Sequence, residues 1–261
     1  MTLVRRPAVA GTFYPSNPDK LHRTLQNFLS AVPVAGPAPK AIIVPHAGYI
    51  YSGPVAATAY SRLRQGADKI ERVVLLGPSH HVAFRGLAVC GAEVYLTPFG
   101  AISIDKESIT RALELPFVSR IDEAHALEHS LEVHLPFLQE VLNDFTLVPV
   151  VAGDATPEEV SQLLDLLWGG EETVIVVSSD LSHYHDYATS QQMDSATSNA
   201  IESLDYEAIG YECACGRVPV SGILHNARKR HMKAKTIDLR NSGDTAGPKD
   251  KVVGYGAYVI E

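Results

Sequence analysis

AIIVPHAGY, residues 41–49, joins a short apolar run to a proline and a histidine. An apolar run followed by a polar, histidine-bearing loop returns in VVLLGPSHH at 73–81 and in VIVVSSDLSHYH at 174–185. Uninterrupted apolar runs of this length are typical of strands buried on both faces of a parallel sheet. Because the loops at the carboxyl ends of parallel strands open into one crevice, we expect the histidines after these runs to share a pocket. These histidines are His46, His80, His81, His183 and His185.

Helical and extended patterns alternate along the rest of the chain. Apolar residues at helical spacing predict helices over 18–32, 53–63, 108–113, 130–142, 157–168, 190–204, 206–212 and 222–231. Strands are predicted over 41–44, 73–76, 87–89, 102–104, 145–151, 174–177, 236–239 and 252–260, with a turn at 97–100. This alternation indicates an α/β fold with a central, mostly parallel or mixed sheet and helices on both of its faces. No repeat or linker divides the chain, so we expect residues 1–261 to form a single domain.

The composition excludes several classes of protein. Hydrophobic residues make up 46% of the chain and charged residues 20%, which is typical of a globular protein and not of a disordered one. The net charge of -8 argues against a nucleic-acid partner, because affinity for phosphate backbones comes from clustered Lys and Arg. No apolar stretch reaches the roughly 18 residues needed to span a bilayer, and the first residues lack the apolar core of a signal peptide. We therefore expect a cytoplasmic protein that does not bind membranes.

Imidazole is a common neutral ligand of zinc, iron and copper, and two imidazoles from neighbouring strand ends can meet at one ion. His46 and His80 are the predicted ligand pair. The alternative for each is a histidine that caps a strand end or bonds a carbonyl. In the third segment Asp180 precedes His183 by three residues, a spacing that suits a carboxylate orienting an acid/base imidazole. The alternative for Asp180 is a helix cap.

Two further segments carry reactive side chains. In EHSLEVHLPF, helical spacing predicts that Glu128 and Glu132 point the same way, with His129 turned partly aside, as cleft lining and not as metal ligands. The alternative is a helical turn whose acids meet the helix dipole. In CACGRVPVSG, Cys215 falls at a predicted junction between loop and helix, where a thiolate is favoured and can ligate a soft metal. Three cysteines, Cys90, Cys213 and Cys215, are too few for a disulfide framework.

Seven segments occur in an order that resembles the Memo family, whose bacterial and archaeal members are called AmmeMemoRadiSam system protein B. They are GTFYPSNPDKL, PHAGYIYSGPVAA, LLGPSHHV, EHSLEVHLPFLQ, SSDLSHY, CGRVPV and SGDTAG with VVGYGAY. The resemblance covers nearly the whole chain. It implies a fold similar to the class III extradiol dioxygenases, the LigB-like non-haem iron enzymes.

The resemblance also implies a site. Its metal-binding pattern falls on His46, His80 and Cys215, with His183 pointing into the same cleft, and Phe13 and Tyr51 fall where family members place aromatic residues at the cleft. We expect His183 to act as the catalytic acid/base and Asp180 to orient it. The further residues expected to line the pocket are His81, His129 and His134. The dioxygenases hold Fe(II) with two histidines and a glutamate. In this chain Cys215 takes the place of the carboxylate, which changes the charge and softness of the ligand set.

The leading expectation is a metal-dependent oxidoreductase with iron as Fe(II), copper or zinc being the alternatives. A second reading is a peptide-binding signalling adaptor that uses the same cleft without turnover, and a third is a metal-assisted hydrolase. The ligand of the cleft is then a small molecule or a peptide. The bacterial name of the family implies a functional association with a radical SAM protein and an AMMECR1-like protein.

Overall fold

Strands occur along the whole chain in this structure, a computed structural model that describes residues 3–33 and 36–261. In chain order they are β1 (Val4–Arg5), β2 (Ala41–Val44), β3 (Arg72–Pro78), β4 (Leu87–Val89), β5 (Val94–Thr97), β6 (Gly100–Ser103), β7 (Val118–Arg120), β8 (Thr146–Ala152), β9 (Thr173–Ser178), β10 (His183–His185), β11 (Ala234–Asn241) and β12 (Val252–Ile260).

The main sheet has the strand order β10-β12-β2-β9-β3-β8-β4-β7, and β11 pairs with β12. Its four central strands, β2, β9, β3 and β8, are all parallel. Antiparallel pairing of β12 with β2 and of β4 with β8 makes the sheet mixed. The predicted α/β architecture is thereby confirmed. Strands β1, β5 and β6 form a separate three-stranded sheet.

Helices cover the sheet. They are α1 (Pro18–Ser30), α2 (Tyr49–Leu63), α3 (Lys106–Ala112), α4 (Asp122–Ala126), α5 (His129–Glu132), α6 (Leu135–Val141), α7 (Pro157–Leu167), α8 (Tyr187–Glu202), α9 (Arg217–Lys229) and α10 (Ser242–Thr245). Helix α2 packs on β2 and β12, whereas α9 packs on β3 and β9 and is backed by α7. Every residue of β2 and of β9 is buried, which requires cover on both faces of the sheet. Among the described residues no helix is both long enough and apolar enough to cross a bilayer.

Local sequence signals explain where several helices begin. Asn17 caps α1 by accepting the Lys20 N–H at 2.9 Å, and the α1 leucines at positions 21, 25 and 29 form its buried stripe. Thr156 and Glu159 form a reciprocal capping box at the start of α7.

The structure departs from the predicted elements where patterns are short or interrupted. The helix predicted over 130–142 is two helices, α5 and α6, with Pro136 in the first turn of the second. The helix predicted over 206–212 is only a 3-10 turn at Tyr206–Ala208. Strands β1, β5, β7 and β10 were not predicted, because runs of two to four residues show too little periodicity. The turn predicted at 97–100 does join two strands, β5 and β6.

Candidate metal centre

Three parallel strands end side by side and carry polar loops to one place. Val44 of β2 is level with Ser178 of β9, and Val177 of β9 is level with Leu76 of β3. The residues that follow these strands include His46 and His80, whose ring centroids lie 5.2 Å apart. The structure therefore brings together the two histidines that the apolar runs placed at strand ends.

Cys215 completes this group from a distant part of the chain. The ligand atoms of His46, His80 and Cys215 all lie within 4.8 Å of one another. The Cys215 Sγ is 3.4 Å from the His46 Nε2, and the Cys215 N–H donates to the Asp180 carbonyl at 3.3 Å. Gly216 makes this approach possible, because a Cβ there would lie 2.3 Å from the Ser178 carbonyl oxygen.

The hydrogen bonds of Ser178 determine which nitrogen of His46 is free. The Ser178 hydroxyl donates to the Ser130 carbonyl at 2.6 Å, so its oxygen accepts from both neighbouring imidazoles. These are His46, through Nδ1 at 2.6 Å, and His134, through Nε2 at 2.8 Å. His46 therefore carries its proton on Nδ1 and presents the Nε2 lone pair toward Cys215.

His134 extends this chain of hydrogen bonds into the core. Its Nδ1 accepts from the Tyr60 hydroxyl at 2.9 Å, which leaves its Nε2–H to donate to Ser178. Burial lowers the pKa of His134 to about 3, so the ring is neutral at physiological pH. Burial and the nearby imidazoles likewise hold the pKa of His46 well below its ordinary value. Neutral imidazole is the form that binds metals.

Glu128 performs the same function for His80. Its carboxylate accepts the His80 N–H at 2.6 Å, the His80 Nδ1–H at 2.8 Å and the Ser130 N–H at 2.9 Å. Burial alone would raise the pKa of Glu128, but these hydrogen bonds outweigh it and hold the pKa at about 2. A carboxylate on Nδ1 orients the ring and leaves the His80 Nε2 free.

The two acids of EHSLEVHLPF do not address the same point, contrary to the prediction from helical spacing. Glu128 is the N-cap of α5 and has an extended backbone, so the geometry of a helix face does not apply to it. Glu132 is fully buried and pairs with Arg5. Glu132 also accepts the Tyr14 hydroxyl at 2.6 Å, which makes it part of the fold and not of the site.

Asp180 does not orient His183 in this structure, which corrects the predicted pairing. Its carboxylate accepts the His46 backbone N–H at 2.7 Å instead, because both residues lie at the ends of paired strands. Burial raises the pKa of Asp180 to about 7. The alternative of Asp180 as a helix cap is also wrong, because the next helix, α8, is capped by Asp186.

The candidate ligands and Asp180 open into a cleft of about 710 Å³. Its wall includes Phe13, Tyr51, His129 and His183. Burial lowers the pKa of His183, so its ring is neutral and able to accept a proton. The other lining residues include Tyr184, Tyr211, Glu212, Lys251 and Tyr255.

Three of the sequence candidates lie outside the cleft wall. His134 is 1% exposed and sits behind Ser178, so it cannot touch a molecule in the cleft, contrary to the prediction. His81 is exposed and approaches the site only through His129, at 6.2 Å between ring centroids. His185 is partly exposed on β10 and does not line the cleft.

A second group of possible ligands, His80, Glu128 and His129, also has its atoms within 4.8 Å. The His80 and His129 rings are stacked at 4.6 Å. The Glu128 oxygens already accept three hydrogen bonds from His80 and Ser130, which a metal there would have to displace. The donor set of His46, His80 and Cys215 is the better fit for an ion.

The thiol of Cys215 depends on a cation for its reactivity. Burial and the neighbouring Asp180 carboxylate raise its pKa to about 12, so without a positive charge nearby it stays protonated. A coordinated thiol, by contrast, loses its proton to the ion's charge. Two imidazoles whose Nδ1 atoms are held by hydrogen bonds, together with one such thiol, form a coherent set for a transition metal.

Comparison with known proteins shows relatives that match nearly the whole chain. A protein-family model described as "Memo-like protein" matches residues 5–259. A protein of Aquifex aeolicus is 37% identical over 263 residues, covering 97% of both chains. One from Ignicoccus hospitalis is 38% identical over 283 residues, covering 98% of both chains. Both are named "MEMO1 family protein".

A solved structure, that of the uncharacterized protein JW3007 from Escherichia coli K12, shares the fold with a TM-score of 0.54. The match covers 84% of this chain and 98% of that one, at 15% sequence identity. At this identity the likeness concerns the arrangement of strands and helices alone.

Proposed function

This chain belongs to the Memo-like protein family, and from that premise we propose that it is a non-haem metal-dependent oxidoreductase that binds iron through His46, His80 and Cys215. One observation carries the proposal. Three side chains from three separate segments place their ligand atoms within 4.8 Å, and hydrogen bonds already hold both imidazoles with Nε2 free. Because the tautomer and orientation of both rings are already fixed, less free energy is lost in ordering them when an ion binds.

A ferrous ion held by His46, His80 and Cys215 would supply one-electron transfer. The residues of the chain do the rest. His183, neutral on the cleft wall, accepts a proton from the bound molecule. Asp180 holds the backbone of His46 in place and has a pKa near neutrality, which suits it to exchange protons with the cleft. Phe13 and Tyr51 exclude water from one side.

The proposal includes a relationship to the class III extradiol dioxygenases, with one change in the ligand set. In those enzymes a glutamate completes the two histidines, whereas here Cys215 occupies that place. A thiolate is a softer and stronger electron donor than a carboxylate, so the potential of the ion differs. We therefore propose an oxidoreductase of a related kind and assign no extradiol ring cleavage to this chain.

The first test is elemental analysis of protein purified without oxygen. We expect iron approaching one ion per chain, and we expect the double variant H46A/H80A to lose it because both nitrogen ligands are gone. A matched control is H22A/H231A, which removes two exposed histidines far from the cleft. Full iron content in H46A/H80A would overturn the assignment.

The identity of the ion separates the rival functions. Zinc in place of iron would favour a hydrolase, because zinc has no redox chemistry and acts by lowering the pKa of bound water. Tight binding of a peptide by metal-free protein, unaffected by H46A/H80A, would favour the adaptor reading. Copper would keep the oxidoreductase and change only the metal.

A further inference from the structure

A second cavity lies next to the cleft, on the other side of Cys215. It has a volume of about 270 Å³ and lies beyond the ends of β3 and β8. Cys215 and Tyr211 line both this cavity and the cleft, so the two spaces adjoin at these residues. The volume is smaller than that of a typical pocket for a whole small molecule, and it suits one functional group.

Among the residues that the structure describes, Arg217, the first residue of α9, is the one strong cation on the wall of this cavity. Its Nε–H is shielded from solvent and has no hydrogen-bond partner. Within residues 3–33 and 36–261, no carboxylate lies within ion-pair distance of its guanidinium. The guanidinium instead stacks on the Tyr211 ring, 3.3 Å from the centroid.

A shielded N–H without an acceptor is rare, because it loses its hydrogen bonds to water on folding and no protein hydrogen bond replaces them. A guanidinium binds planar or tetrahedral oxyanions through paired N–H groups, which makes carboxylate and phosphate its preferred ligands. The start of a 13-residue helix adds a partial positive charge at the same position. The Tyr211 ring holds the guanidinium in one orientation.

We propose that Arg217 binds the carboxylate or phosphate end of the molecule whose remaining part lies in the cleft. This inference rests on the proposed function in one respect, that the cleft holds the substrate. If Arg217 binds one end of the substrate, the substrate is an anion. Its charged end then lies in the second cavity, beyond Cys215, and the rest lies in the cleft. Asp154 also lines the cavity, and its negative charge repels an anion, so it lowers the affinity of the cavity for a carboxylate or phosphate.

The direct test observes the Arg217 Nε–H by NMR in metal-free protein. Acetate and inorganic phosphate, titrated at constant ionic strength, should each shift this signal in a saturable way. The signal is assigned by its absence in R217K. We expect R217Q to weaken the binding of both anions at least tenfold, and D154N to leave it unchanged or tighten it. No saturable shift, or equal binding by R217Q, would overturn the proposal.

A second arm asks whether the anion belongs to a larger molecule. Benzoate, which adds an aromatic ring to the same carboxylate, should bind at least tenfold more tightly than acetate because the cleft is lined by aromatic side chains. The variant Y51A should weaken benzoate and leave acetate unchanged. Equal affinity for both anions would show that Arg217 serves a free ion, which contradicts the inference.

Measuring the metal content of the variants distinguishes a failure of this inference from a failure of the proposed function. R217Q should retain the iron of the parent protein, because Arg217 contacts none of the three ligands. If R217Q lost iron together with anion binding, Arg217 would be supporting Cys215 and the inference would be wrong. If the parent held no iron and still bound anions at Arg217, the proposed function would fail and the anion site would stand.

Discussion

Ser178 connects the candidate metal ligand His46 to the core residue His134. Substituting Ser178→Ala leaves two buried N–H groups, on His46 and His134, without an acceptor. Each such group costs about 1–3 kcal/mol. Because His46 also loses its tautomer and orientation, we expect iron affinity to fall about 10–100-fold. Urea unfolding measures the first effect, and competition with a chelator measures the second.

The control for this variant is Ser198→Ala. Ser198 is also buried and bonds the Tyr258 hydroxyl at 2.7 Å, away from the cleft. Its loss should reduce stability and leave iron affinity unchanged. Equal iron affinity in the two variants would show that Ser178 has no part in orienting His46.

At this scale the sequence predicts that His46 and His80 lie close together, but it does not predict which groups hold their rings. His46 and His80 could be recognised because each follows an apolar run directly. Their partners Ser178 and Glu128 lie 132 and 48 residues away in the chain. Ser178 had a signal of its own, since it ends the third apolar run, but a serine is so common that its bond to an imidazole is visible only in the structure.

Two glutamates at the two ends of the short helix α5 have different roles, one at the candidate site and one in the core. Its N-cap, Glu128, holds His80, and its last residue, Glu132, pairs with Arg5. We expect E128Q to fold and to bind iron about 10–100-fold more weakly, because the amide is a poorer acceptor for the His80 Nδ1–H. We expect E132Q to retain iron affinity and to lose about 3–5 kcal/mol of stability, because Arg5 is left buried without its partner.

Chelator competition and urea unfolding of both variants test this division. The two substitutions are chemically identical and lie four residues apart, so each is the control for the other. The same loss of iron affinity in both would mean that α5 acts on the site as a unit. Unchanged affinity in E128Q would remove Glu128 from the metal centre.

The elements that were predicted well are those whose patterns are long or clearly bounded. Strands β2 and β4 begin and end where they were predicted, and α1 and α7 start at their predicted residues. The helix predicted from Gly53 starts at Tyr49, because Pro54 is tolerated in its first turns and does not mark its start. Strand β10 escaped prediction because it has only three residues and its pairing with β12 is irregular.

Acid should destabilise the whole molecule through its buried histidines, and His125 provides an isolated example. Its Nε2 and Nδ1 face the Ala88 carbonyl and the Tyr95 hydroxyl at 3.0 and 2.8 Å. Burial lowers the pKa of His125 from 6.5 to about 4 in the folded protein. The unfolded chain therefore takes up the proton first as the pH falls, so stability is lost between about pH 6.5 and pH 4.

This loss amounts to a few kcal/mol, on the order of 3 for a pKa difference of this size. Urea unfolding of metal-free protein at pH 7 and pH 4.5 measures it. The variant H125Q keeps an amide that bonds the same two partners and has no proton to gain. The parent should lose more stability than H125Q over this range. Parallel pH profiles would mean that folding does not lower the pKa of His125.

Strand β12 lies inside the sheet, so β2 stays unpaired along one edge until β12 has been synthesised. Residues 258–260 pair with β2 on one side and with β11 on the other. On the ribosome, β2 emerges roughly 200 residues before its partner, which at ~5–20 residues per second is a wait of about 10–40 s. Throughout that time one edge of a fully apolar strand has nothing to pair with, and such an edge templates contact with other chains. The apolar edge of β2 is therefore open to contact with other chains until residues 258–260 have been made and pair with it.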